Sequence, residues 1–275
     1  MNVASSPAVA SVDFPPVATI PGALDAGVLF LCDHASNAVP PDYGDLGLPA
    51  GQFERHIAYD IGAAAMTRRL AALFGAPAVM TTFSRLLIDP NRGGDDPTLV
   101  MRISDGALIP GNARIGVEEI ERRKQRFWRP YRDAVSATLD AMLATGVTPA
   151  IVSIHSFTPR MKGVDRPWQV GFLWDLDPRM TKPMIELMQA DGDLTIGDNE
   201  PYDGALEGDT MDTHATARGL AGLLVEVRQE LIADEAGAHA WADRLAVPLR
   251  RVLAREDVHR IEFHGSRCHI RHKPR

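Results

Sequence analysis

Val28-Leu29-Phe30-Leu31-Cys32 is a continuous apolar run, too short for a helix and without polar alternation. Such a run fits a strand covered on both faces, as in a parallel sheet between helices. The pattern recurs at residues 78–82, 86–88, 150–154, 169–174, 194–196 and 220–227. Between these runs lie helical patterns over residues 52–74, 117–145, 178–189 and 238–253. Pro130 falls inside the second pattern, which predicts a kink or a split there. Strands alternating with helices predict an α/β fold: one three-layer α/β/α domain on a mixed, mostly parallel sheet.

A chain of 275 residues buries a sizeable core without staples. No linker or repeat interrupts it. Pro15-Pro16 marks residues 1–22 as an extended arm, 23–256 as the body, and 257–275 as a basic, His-rich tail. Residues 93–112 read as one long loop, a length usually tied to function. Lys and Arg number 29 against 36 Asp and Glu, a net charge of −7, which argues against phosphate-dependent nucleic-acid binding. The basic run Arg122-Arg123-Lys124-Gln125-Arg126 follows Glu118, Glu119 and Glu121, so it reads as a solvated, charge-paired helix face. Two cysteines, Cys32 and Cys268, suit reduced thiols better than a disulfide framework. No apolar run approaches a membrane helix and no basic region with a long apolar stretch opens the chain. The expectation is a cytoplasmic protein, monomeric or a small homo-oligomer, with a small-molecule partner.

In open parallel sheets ligands bind beyond the carboxyl ends of the strands. Those ends here carry Asp33-His34-Ala35-Ser36-Asn37, Asp89-Pro90-Asn91-Arg92, His155-Ser156 and Glu226. Two histidines and an oxygen donor suffice for a catalytic zinc with an open position. A carboxylate beside it can move the proton of an attacking water, and Arg92 can grip a substrate carboxylate in a bidentate fork. Taken singly, each of these residues has a structural alternative. Glu226 stands in the apolar Leu223-Leu224-Val225-Glu226-Val227, so it needs a partner or a metal. Arg228, on the same strand face, is the structural alternative. Asp60 lies four residues after His56, which in a helix puts both on one side.

The runs Asp33–Pro40, His56-Ile57-Ala58-Tyr59-Asp60-Ile61-Gly62, Ser84–Arg92, Ile154–Pro159, Gly197–Tyr202 and Glu226–Leu231 follow one another over about residues 27–255. Together they resemble the N-formylglutamate amidohydrolase family, itself similar to zinc carboxypeptidases and aspartoacylases. The resemblance implies a zinc-carboxypeptidase-like (phosphorylase/hydrolase-like) fold and one zinc ion. It implies His34 and His155 as ligands, Glu226 as general base, and the pair Asn91 and Arg92 as the grip on the substrate carboxylate. Asn37 stands where those relatives carry a ligating Glu, so Asn37, Asp60 or Asp33 supplies the third ligand. Arg85 is expected at the oxyanion, with Arg228, His214 and Tyr202 around the substrate. The implied reaction is hydrolysis of N-formyl-L-glutamate to formate and L-glutamate, a late step of histidine breakdown. The alternatives are a related N-acyl amino acid deacylase or carboxypeptidase, and a non-catalytic carboxylate-binding protein on a decayed hydrolase fold.

Overall fold

The computed structural model describes residues 14–190 and 192–268. Seven strands form one sheet: β1 (Val17–Ile20), β2 (Val28–Cys32), β3 (Ala78–Thr81), β4 (Ala150–Phe157), β5 (Val170–Leu173), β6 (Ile196–Asp198) and β7 (Gly222–Arg228). Their order is β1-β3-β2-β4-β7-β5-β6. The middle strands β3, β2, β4 and β7 run parallel, so their carboxyl ends share one edge. β1 is antiparallel to β3, and β5 is antiparallel to β7, which makes the sheet mixed.

The helices are α1 (Ala63–Phe74), α2 (Val117–Arg123), α3 (Arg129–Leu143), α4 (Thr181–Gln189), α5 (Thr210–His214) and α6 (Glu235–Leu253). Strand alternation divides the core between two faces. Val28, Phe30 and Cys32 pack with α1, α4 and α6. Leu29 and Leu31 pack with Tyr131, Val135, Leu139 and Met142 of α3. This is the expected three-layer arrangement. Among the described residues no helix is long and apolar enough to cross a membrane, and Cys32 and Cys268 are both buried.

Four local expectations change. The helix expected from residue 52 begins at Ala63, because Gly62 takes a left-handed φ of 81° and Asp60 N donates to the His34 carbonyl at 2.9 Å. His56 and Asp60 are therefore not on one helix face. The split expected at Pro130 is present: a π-helical turn, Lys124–Trp128, divides the pattern into α2 and α3. Residues 86–88 are a buried loop, not a strand. Side chains satisfy its backbone: Leu86 O accepts from Asn112 Nδ2 at 2.7 Å, and Leu87 O from Arg123 Nη1 at 2.8 Å. Arg123 thus leaves the solvated face and is buried.

Residues 17–20 of the arm dock as edge strand β1. Part of the tail packs on the body, with Arg267 bridging Asp175 and Asp203 at 2.9 and 2.6 Å. His259 is fixed between the carbonyls of Thr148 and Leu253, and His269 and His272 lie outside the described residues.

Candidate active site

β2, β4 and β7 end side by side, and their registers place His155 opposite Glu226. His34 follows β2, where the Thr81 hydroxyl donates to the Asp33 carbonyl at 2.7 Å and fixes the turn. The Asp60 loop reaches back over the same edge. Asp60 Oδ2 lies 3.3 Å from His34 Nδ1 and 2.8 Å from His155 Nδ1. One ligand atom from each of His34, Asp60 and His155 falls within 4.8 Å of the others, and all three residues are buried.

The opposite ring nitrogens are held by further carboxylates. His34 Nε2 meets Asp89 Oδ1 at 2.7 Å, and His155 Nε2 meets Asp33 Oδ2 at 2.9 Å. Asp33 is itself held by the hydroxyls of Ser153 at 2.8 Å and Thr210 at 2.6 Å. A carboxylate on the far nitrogen orients each imidazole, the usual support of a metal-ligating histidine. Two Nδ1 atoms and one carboxylate oxygen turned inward fit a divalent cation.

The carboxylates of the cluster stay ionised despite their burial. Burial works against ionised Asp33, yet the hydrogen bond and charge of His155 hold it well below the usual carboxylate range. Burial likewise opposes ionised Asp60 and Asp89, but His34 and His155 keep Asp60 low, and the charges of Arg85 and His34 keep Asp89 low. His155 is pushed well above the ordinary imidazole value, because its bonds to Asp33 and Asp60 outweigh burial. Glu226 behaves oppositely. Burial lifts it to about 7, and its Oε2 is buried with no hydrogen-bond partner among the described residues.

A cavity of about 440 Å³ opens over this edge, and His34, Asp60, His155, Glu226, Arg85 and Arg92 all line it. Arg85 spans Asp60 Oδ1 at 3.3 Å and Asp89 Oδ2 at 3.1 Å, so its charge is already matched. Arg92 differs. It donates to Thr98 Oγ1 and to the Asn91 carbonyl, and among the described residues it pairs with no carboxylate. Its loop is pinned by Asn91, which accepts from Thr210 N at 3.1 Å, and by Trp128 Nε1 on the Arg92 carbonyl at 3.0 Å.

The structure corrects three expected positions. Asn37 does not line the cavity; its amide donates to the Phe53 carbonyl at 2.9 Å, and Asp60 joins the two histidines instead. Arg228 turns away to Glu230 at 2.5 Å, so it neither faces the cavity nor pairs with Glu226. His214 is buried outside the cavity wall, 3.4 Å from Ser136 Oγ, and burial lowers it to about 4. Tyr202 does line the cavity. Its segment is a fixed turn, since Asn199 Oδ1 accepts from Trp174 N at 2.9 Å and Gly204 N at 3.0 Å. Sequence reasoning passed over Asp89 as a histidine partner, although a charged residue ending the apolar Leu86-Leu87-Ile88 was a visible signal.

The profile of the N-formylglutamate amidohydrolase family matches residues 26–233. A gene product of Agrobacterium tumefaciens of known structure is similar at 34% identity and a TM-score of 0.82, over 88% of this chain and 96% of that one. An N-formylglutamate amidohydrolase from Ralstonia eutropha shares the fold at 20% identity and a TM-score of 0.62, over 88% of this chain and 98% of that one. No curated protein matches. The match across well over half its length settles the assignment: the chain belongs to the N-formylglutamate amidohydrolase family and is an amidohydrolase.

Proposed function

We propose that the chain is a zinc-dependent, cytoplasmic hydrolase that cleaves N-formyl-L-glutamate to formate and L-glutamate. The observation that carries this reading is the buried Glu226 Oε2 beside the His34–Asp60–His155 cluster, without a hydrogen-bond partner among the described residues, with Arg92, which meets no carboxylate among them, on the same cavity. His34, Asp60 and His155 would hold the ion. When bound, a divalent cation there supplies Lewis acidity toward a carbonyl oxygen and lowers the pKa of water.

The remaining steps belong to the chain. Arg92 holds the α-carboxylate and so presents the formyl amide to the cluster. Glu226 takes the proton of the attacking water and returns it to the leaving amine. Its lifted pKa, about 7, suits it to both directions of transfer. Arg85, on the cavity wall, adds positive potential where charge develops on the carbonyl oxygen. Asp33 and Asp89 keep the two imidazoles aimed inward.

The decisive experiment measures formate released from N-formyl-L-glutamate by zinc-loaded protein and by protein stripped with a chelator. Turnover that stops on stripping and returns with zinc supports the reading. Full activity after complete metal removal overturns the metal-dependent mechanism, and no turnover of any N-acyl amino acid by loaded protein overturns the hydrolase reading.

A further inference from the structure

One cation bonded to a residue of the cavity wall has no role in the chemistry above. Arg166 follows the hairpin Arg160–Met161/Val164–Asp165 beyond β4. Its Nη1 donates to the Tyr202 hydroxyl at 3.0 Å and to Thr158 Oγ1 at 3.3 Å. Its guanidinium lies 4.8 Å from the Tyr202 ring centre and 5.9 Å from that of Phe157. Among the described residues it pairs with no carboxylate. A guanidinium packed beside two aromatic rings, with only its Nη1 hydrogen-bonded among the described residues, keeps donors to offer a planar anion.

Tyr202 completes the arrangement. Its oxygen accepts from Arg166, which leaves its own proton to donate, and no described residue takes that proton. Burial and the nearby charge of Glu226 push the phenol up, so it remains a donor. Tyr202 and Met161 both line the cavity that holds Arg92. Arg85 is already matched by Asp60 and Asp89. Arg92 and Arg166 are thus two unmatched guanidiniums, one on the cavity and one bonded to its wall.

We propose that Arg166 and the Tyr202 hydroxyl bind the side-chain carboxylate of the substrate while Arg92 holds its α-carboxylate, an assignment that rests on the N-acyl amino acid hydrolase reading. Two separated cationic contacts select a dicarboxylate over a neutral side chain of equal size. The methylene groups between them lie against apolar wall residues such as Met161 and Leu206.

The test compares kcat/KM for N-formyl-L-glutamate and N-formyl-L-glutamine, near-isosteric but different in charge, on zinc-loaded wild type, Arg166→Met and Tyr202→Phe. L-glutamate and L-glutamine are titrated calorimetrically into the same proteins. Wild type is expected to prefer the glutamate substrate by on the order of 10²-fold or more. Arg166→Met removes most of that preference, chiefly through KM, and Tyr202→Phe removes about tenfold. An unchanged preference in Arg166→Met, or an equal loss on both substrates, overturns the assignment. A wild type that hydrolyses neither substrate overturns the hydrolase reading instead. The titration then decides the carboxylate site: a preference for glutamate that needs Arg166 sustains it, and equal affinities overturn it.

Discussion

Glu226→Gln keeps the side-chain shape and removes the proton acceptor. The expected result is a loss of about 10³-fold in kcat with zinc content per chain unchanged, checked by formate release and metal analysis. Near-normal turnover would remove Glu226 as the base. Asp33→Asn and Asp89→Asn act through the histidines they hold, so each is expected to weaken zinc affinity by roughly 10–100-fold in competitive chelator titrations. His214 tests pH. Burial, and then the charge of Arg132, lowers it from 6.5 to about 4 in the folded chain. Between those values the unfolded chain binds a proton that the folded chain refuses. Its stabilisation is therefore complete above the unfolded value and lost as pH falls toward 4. Denaturation of wild type and His214→Leu at pH 7 and pH 4.5 is expected to show the wild type losing up to about 3 kcal/mol more across that interval. Equal losses would place the group in solvent. At this scale the sequence pointed to His34, His155, Glu226 and Arg92 as polar residues closing apolar runs, and all four line one cavity. That Asp60 rather than Asn37 meets the two histidines was not legible, because it depends on where two loops cross. Arg166 was invisible, since an arginine after a short hairpin reads like any surface charge.

Two elements carry the site without touching a substrate. Gly62 lets the chain leave Asp60 and enter α1. A Cβ there would stand 1.9 Å from the Ile232 carbonyl oxygen, and its φ of 81° disfavours any other residue. Gly62→Ala is expected to cost about 3 kcal/mol or more in urea unfolding and to reduce zinc retention, because Asp60 moves with the turn. Arg123 holds the 86–88 loop through Leu87 O and Asn112, and through Glu119 at 2.8 Å. Removing it leaves buried acceptors unpaired, so Arg123→Met is expected to destabilise by about 3 kcal/mol, read from the urea midpoint. Strands β2 to β7 were legible from their apolar runs, as were the core spans of α1, α3, α4 and α6, whereas β1 lay in the segment read as an extended arm. The start of α1 and the 86–88 loop were not. Both depend on partners distant in sequence: Ile232 behind Gly62, and Asn112 and Arg123 under the loop.

At the scale of the whole molecule, the cluster ties β2, β4 and the loop before α1 to one point. A cation that binds only the folded arrangement adds stability by mass action. Zinc at about 100 times its Kd is expected to add about 2.7 kcal/mol and raise the Tm of stripped protein by several degrees, in wild type but not in His155→Ala, read by thermal scans. Equal shifts in both proteins would put the zinc elsewhere. The sequence by itself determined the α/β class, the layered core and the set of strand ends that bear chemistry, because apolar periodicity and polar punctuation are local properties. Only the tertiary structure decided which of those groups meet. Asp60 rather than Asn37 joins the histidines, Arg228 turns out to Glu230, His214 lies outside the cavity, and Arg166 comes to Tyr202. Each of these contacts depends on loop paths fixed by long-range hydrogen bonds and packing. Residues 26 positions apart, such as His34 and Asp60, carry no mutual signal until the chain has closed on itself.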